Sequence, residues 1–288
     1  VRIRLNAIIA LAGVLALLAV APADALAQRG GRGAEPEAGP TPRLPSGKPD
    51  LTGHWTEPYT PNMAGRGGSN VLDPETREEL DWPRKGEVLT DAVDPNRTFD
   101  LPYTELGLQR WKEYDPVSNG DYAGSCMPFG MARNINSPHG LYMVHNDAAL
   151  AILFEQNTWF HLIPIGETWE WPDDIPPAWN GYSDGRWEDD TLVIETGNFN
   201  GYTKLDTNGH PHSSGVRMIN TLTRLDERRI EHTFTVIDPK MYTMPWMNVR
   251  TWTLKESPDV LMEYSCEENN QGLFDGSITP WRIPDEVD

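Results

Sequence analysis

Residues 185–214 read GRWEDDTLVIETGNFNGYTKLDTNGHPHSS. Tyr182–Trp187 and Thr191–Thr196 are strand-like runs rich in β-branched and aromatic residues, joined by the acidic turn Glu188-Asp189-Asp190. Solvated acids in a hairpin turn need no chemical role, because Asp side chains stabilise turns through their own backbone. An Asn/Gly-rich loop follows, then His-Pro-His-Ser. The same period-two pattern extends in both directions. Upstream lie Leu141–His145, Ala149–Glu155 and Trp159–Ile165. Downstream, Val216, Met218 and Leu222 share one face, and Ile230, Phe234 and Val236 share another across the turn 226–229. Arg250–Leu254 and Val260–Cys266 are predicted to pair around Ser257-Pro258-Asp259. Eight or more short strands with tight turns predict an all-β fold, a mainly antiparallel barrel or sandwich. Closure or layering would remove most open strand edges. Gly53-His54-Trp55 on a first strand is compatible with a lipocalin-like barrel, in which the Trp plugs the closed end, and equally with an ordinary core Trp.

The segment from 56 to 138 has a different texture. Asp73-Pro74-Glu75 predicts a helix running to about Leu80, and Thr104-Glu105 predicts a second with Leu108 and Trp111 on one face. So much non-strand chain needs a surface to lie on, so the segment reads as a lid or wrap around the β core.

At the N-terminus, Arg2 and Arg4 precede the apolar run Ala7–Ala21 and the small-x-small triplet Ala25-Leu26-Ala27. That is a signal peptide pattern over residues 1–27, with cleavage expected after Ala27 and a periplasmic or secreted product. Residues 28–49, rich in Gly, Pro and Arg, read as a disordered linker. Residues 50–288 read as a single β-rich domain, with no stable membrane insertion once the leader is removed. The formal net charge of −19 opposes nucleic acid and anionic membrane as partners. Cys126 and Cys266 are the two cysteines. In an oxidising compartment they suggest one disulfide closing a long loop; two buried thiols are the alternative.

Candidate chemistry clusters around the histidines. If the strand of Val216 begins by His212, then His212 shares the inward parity of Met218, as His232 shares that of Phe234. An imidazole titrating near neutrality can act as a general base. In an enzyme, His212 would be that base, assisted by His232 or Tyr242, with Asp206 or Asp190 orienting an imidazole. An inward histidine is more commonly a hydrogen-bonded core residue. His210-x-His212 with Asp206 or His139 has chelating potential, but the spacing arises readily by chance, and neither a metal nor a cofactor is expected. Nucleophile-elbow, P-loop and dinucleotide-binding glycine patterns are all missing from the sequence.

Eleven Trp are the compositional feature that most suggests a ligand. Trp169, Trp171, Trp179 and Trp246 lie in Pro-rich loops, with Asn200 and His210 as polar companions. Flat aromatic faces stack on aromatic or sugar-bearing small molecules, and they equally fill the core of a large barrel. Three functions compete: a small-molecule binding protein with a Trp-lined pocket; a cofactor-independent hydrolase, lyase or isomerase; and an envelope interaction module.

Further motifs span nearly the whole presumed mature chain: Pro49-Asp50-Leu51-Thr52-Gly53-His54-Trp55, Cys126-Met127-Pro128-Phe129-Gly130-Met131-Ala132-Arg133, Gly185–Ile194, Phe199-Asn200, Gly209–Ser213, Asp238-Pro239, Tyr242, Pro245-Trp246 and Glu263–Asn269. With these the chain resembles a family of exported bacterial β-rich proteins that brings no assigned activity with it. It departs from that pattern at Asp189, where the relatives carry Gly, and over Trp169–Asp174, where Asp-Gly-Arg is typical. The resemblance implies export and one intact domain.

Overall fold

The computed structural model describes residues 38–166, 171–256, 260–268 and 270–284; the expected leader and Trp169 lie outside them. Nine strands form one sheet: β1 (Gly53–Thr56), β2 (Leu141–His145), β3 (Ala149–Phe154), β4 (Phe160–Pro164), β5 (Tyr182–Glu188), β6 (Thr191–Gly197), β7 (Arg217–Arg224), β8 (Arg229–Ile237) and β9 (Trp246–Leu254). The order is β4-β3-β2-β1-β9-β8-β7-β6-β5, with antiparallel neighbours throughout. The chain is therefore an up-and-down meander whose first strand joins its last, Trp55 opposite Leu254.

The sheet curls until its edges, β4 and β5, meet in a nearly closed barrel. Nine alternating strands cannot close with every neighbour antiparallel, so one junction must be parallel. It is: Ile165 bridges Gly185 in parallel, and the Gly166 N–H donates to the Gly185 carbonyl at 3.0 Å. Where ladder bonds are few, side chains bridge the gap. His161 Nε2 lies 2.6 Å from Ser183 Oγ, which lies 2.7 Å from Thr196 Oγ1. The odd strand number and the parallel junction set this barrel apart from the eight-stranded lipocalin pattern.

Alternation fills the interior as the sequence predicts. Met218, Asn220 and Leu222 of β7 and Ile230, His232, Phe234 and Val236 of β8 are all buried. Trp55 is fully buried, with its Nε1–H on the Leu51 carbonyl at 3.0 Å and the Arg224 guanidinium 5.1 Å above its ring. Arg224 itself donates to the carbonyls of Asp50, Asp226 and Glu227.

Several expectations are corrected. No helix follows Asp73. Its carboxylate accepts the N–H groups of Glu75 and Thr76, closing a turn, and Leu72 instead bridges Glu79 and Met247. Among the described residues the α-helices are α1 (Glu105–Glu113), capped by Thr104 Oγ1 on the Gly107 N–H, and two five-residue turns, α2 (Met131–Ile135) and α3 (Gln271–Asp275). The described part of the expected strand Val260–Cys266 is irregular chain, with Val260 and Met262 exposed, so its alternation does not reflect burial. The part of the expected linker from Pro40 onward is docked on the barrel. Arg43 bridges Pro49 and grips Asp190, while Lys48 Nζ donates to the Asp189 carbonyl at 2.8 Å. The acidic turn that looked merely solvated is what this segment binds.

The wrap behaves as expected. Met63, Val71, Trp82, Leu101, Tyr103 and Trp111 belong to the same buried cluster as the barrel residues Leu192, Phe234 and Trp252. Cys126 and Cys266 form a disulfide with Cα atoms 5.5 Å apart. Among the described residues, no helix is long and apolar enough to cross a membrane.

Candidate functional site

The loop between β6 and β7 is organised by Asp206. Its Oδ1 accepts the N–H groups of Gly209 and His210, and its Oδ2 accepts the Met63 N–H at 2.7 Å and the His210 Nδ1–H at 2.5 Å. Gly209 adopts φ 91°, and a Cβ there would come within 2.0 Å of the Tyr114 ring, so only glycine fits. His210 is fully buried, stacked on Trp111 at 4.3 Å, and its Nε2 lies 3.1 Å from Asp100 Oδ2. Burial pulls its pKa down, but the carboxylates of Asp206 and Asp100 outweigh burial and lift it to about 10. His210 is thus a buried cation clamped between two acids, tying the loop to the wrap. It is shut off from ligand, and Asp206 orients this imidazole rather than that of His212.

His212 lies before β7 begins, so strand parity does not aim it. Its Nδ1 is 2.9 Å from the Ser213 carbonyl, which can only accept, so that nitrogen carries a proton. In the neutral ring Nε2 then accepts from the Thr203 hydroxyl at 2.7 Å. Ser213 is held in turn by Asp238, through its N–H at 2.6 Å and its Oγ at 2.9 Å. His232 faces the barrel interior, with Nε2 2.8 Å from Asn220 Oδ1 and its ring 4.5 Å from Trp252. Burial and the nearby Arg250 hold its pKa well below the ordinary value, so it stays neutral. The two imidazoles are held by different residues, His212 by Thr203 and Ser213 and His232 by Asn220.

Tyr242 is buried, its hydroxyl donating to the Pro211 carbonyl at 2.6 Å. Trp246 is fully buried beside it and is core, not a ligand contact. Trp171 is anchored through Nε1 to the Ser183 carbonyl and packs on Tyr182 at 4.8 Å. The Asn200 amide oxygen accepts the Tyr202 N–H, shaping the loop. Trp179, by contrast, joins an aromatic group around the tail, 5.4 Å from Tyr202 and 5.7 Å from Trp281.

That group borders a cleft of about 820 Å³. Tyr122, Tyr202 and Trp281 supply aromatic walls, and His212 reaches it from the β6–β7 loop. Arg110, Lys204 and Arg282 bring positive charge, and Glu113 and Asp115 bring negative charge at the same opening. The walls are braced from behind. The Lys204 N–H donates to the Tyr122 hydroxyl, and the Arg133 guanidinium lies 5.0 Å from the Tyr122 ring while pairing bidentately with Asp121. The tail is fixed by the disulfide and by the Trp281 N–H on Ser125 Oγ at 2.8 Å.

Of the residues singled out from sequence, His212 lines the cleft and Trp179 packs against its aromatic walls. Tyr122, Tyr202, Lys204 and Trp281 went unseen. Tyr202 and Lys204 lie inside the stretch quoted first, but an isolated lysine reads as a solvated charge. Trp281 reaches the site only through contacts far apart in the chain. Comparisons with protein-family models, with curated proteins and with solved structures return no match.

Proposed function

We propose that the protein is exported and binds a small aromatic molecule bearing an acidic group in the cleft beside the disulfide. The carrying observation is the meeting of Tyr122, Tyr202 and Trp281 with Arg110, Lys204 and Arg282 in one concave site of about 820 Å³. Aromatic walls with a few placed charges are the usual make-up of a small-molecule site. A strongly acidic chain gains nothing for its solubility by gathering cations in a cleft, whereas an anionic ligand does gain from them. The leader pattern and the disulfide support a location outside the cytosol. Titration with benzoate-type ligands should quench Trp fluorescence saturably, and Trp281→Ala should weaken the affinity about tenfold or more. An unsaturable response to aromatic acids, with saturation by neutral sugars, would transfer the site to the sugar-bearing class.

One observation favours a second reading, a cofactor-independent hydrolase. The Thr203 hydroxyl donates to His212 Nε2 at 2.7 Å, and the opposite ring nitrogen is fixed by the Ser213 carbonyl. That is the geometry of a hydroxyl with its general base. It predicts ester cleavage that is abolished in a folded His212→Ala variant. Equal turnover in that variant removes it.

A further inference from the structure

We propose that Lys204 is a covalent anchor, its ε-amine condensing with an aldehyde on an aromatic, acid-bearing ligand in the cleft to form a reversible imine. The inference rests on the binding reading above and adds to it the reactive group of the ligand.

Six lysines occur in the chain. Lys48 donates to the Asp189 carbonyl, Lys85 pairs with Glu79, Lys112 pairs with Asp91, and Lys240 and Lys255 also have partners. Lys204 differs. Its Nζ has no hydrogen-bond or ion-pair partner among the described residues, and it is half-buried in the wall of the cleft. An amine without a carboxylate is not held in its charged form. Burial, reinforced by the positive charge of Arg110, brings its pKa down to about 8. Roughly a tenth of such an amine is neutral at pH 7, against well under a thousandth for an ordinary lysine. Desolvation beside a second cation is a recognised way of making a lysine nucleophilic. The groups that share the opening with it are Arg110, Glu113, Asp115, Arg282 and His212.

The step balances without any other reactant. The nitrogen lone pair attacks the carbonyl carbon, forming C–N while the π pair moves to oxygen. A proton passes from nitrogen to that oxygen, giving a carbinolamine. The hydroxyl takes up a second proton and leaves as water as C=N forms, and the iminium releases its N–H proton. One water is lost and nothing is oxidised or reduced. Tyr122 and Trp281 would flank the aryl ring, and Arg110 or Arg282 would meet the acid.

The test uses the full chain, 4-carboxybenzaldehyde with cyanoborohydride, and 4-carboxybenzyl alcohol as the probe without a carbonyl. Peptide mapping should place the reduced adduct on Lys204 at least tenfold above any other lysine, with a rate half-maximal near pH 8, and the alcohol should quench Trp fluorescence saturably. Lys204→Arg, which keeps the charge and removes the nucleophile, should lose the adduct. The pH profile of the unaltered protein gives a readout that needs no variant. Saturable quenching by the alcohol with no adduct on Lys204, or with label spread evenly over the lysines, overturns the anchor and leaves the binding reading standing. Absence of both overturns both. An adduct on Lys204 without saturable quenching also overturns both, since it marks a reactive amine and no ligand site.

Discussion

At the scale of single residues, charge and backbone conformation decide more than composition suggests. Asp189 sits at φ 50°, in the left-handed region where glycine is at ease. The cost is offset locally, because the same turn presents the Asp190 carboxylate to Arg43 and the Asp189 carbonyl to Lys48. Glu57 is buried, and neither carboxyl oxygen has a hydrogen-bond partner from another residue. Burial raises its pKa to about 8, against the opposing pull of Lys255 and Arg250. A carboxyl with a raised folded-state pKa contributes stability that is complete below its ordinary value of 4.5 and is lost as pH climbs through 8. Glu57→Gln, which imitates the neutral acid, should therefore escape that loss. Between pH 5 and pH 9 the unaltered protein should lose on the order of a few kcal/mol more stability than the variant, read from urea midpoints. Parallel declines would show that Glu57 is not held neutral. None of this was legible beforehand. Glu57 looks like a solvated acid, and only the coordinates show what encloses it.

Among the elements, the seam between β4 and β5 is where the barrel is least secured by its own backbone. Ser183 couples His161 to Thr196 across it, and burial keeps His161 neutral by lowering its pKa to about 4. Ser183→Ala leaves a buried imidazole nitrogen and a buried hydroxyl short of a partner, a loss of about 1–3 kcal/mol. The effect should be local first. The Gly166 amide, bonded to the Gly185 carbonyl, should exchange with solvent markedly faster, while amides of β7 and β8 should hardly change. Uniform acceleration through all strands would argue that the seam is no weaker than the rest. Strands were the readable part of this protein: β2 falls on Leu141–His145, as the alternation predicts, and β3 through β8 follow it closely. The helix after Asp73 and the strand at Val260 were misread because a cap and an alternating run are local signals. Asp73 closes a turn as well as it starts a helix, and Val260 and Met262 alternate with nothing to be buried against.

For the molecule as a whole, the disulfide is the tie that keeps the tail against the cleft. Among the described residues from 260 to 284 no side chain is fully buried, so their position depends on Cys126–Cys266, on the packing of Trp281 against Trp179 and Tyr202, and on polar contacts such as that of Trp281 with Ser125. Replacing both cysteines by serine should lower global stability by about 4–5 kcal/mol on the chain-entropy account. It should also weaken any aromatic-acid binding well before the barrel unfolds. If affinity survives reduction intact, the tail does not form a wall of the site. The pairing was foreseeable from two cysteines and a leader-like pattern; the part it plays in the cleft was not, because Trp281 carries no local pattern that points to Tyr202 or Tyr122.

The pairing of β1 with β9 also fixes when the structure can finish. A chain emerging from its N-terminus presents Gly53–Thr56 early, yet the neighbour those residues need on one side is the last strand to be made. Until residue 254 is available, one flank of the growing sheet stays open, and any nascent assembly is a partial ribbon with β1 awaiting its mate. The sheet as a whole therefore cannot be completed before its last strand has been made.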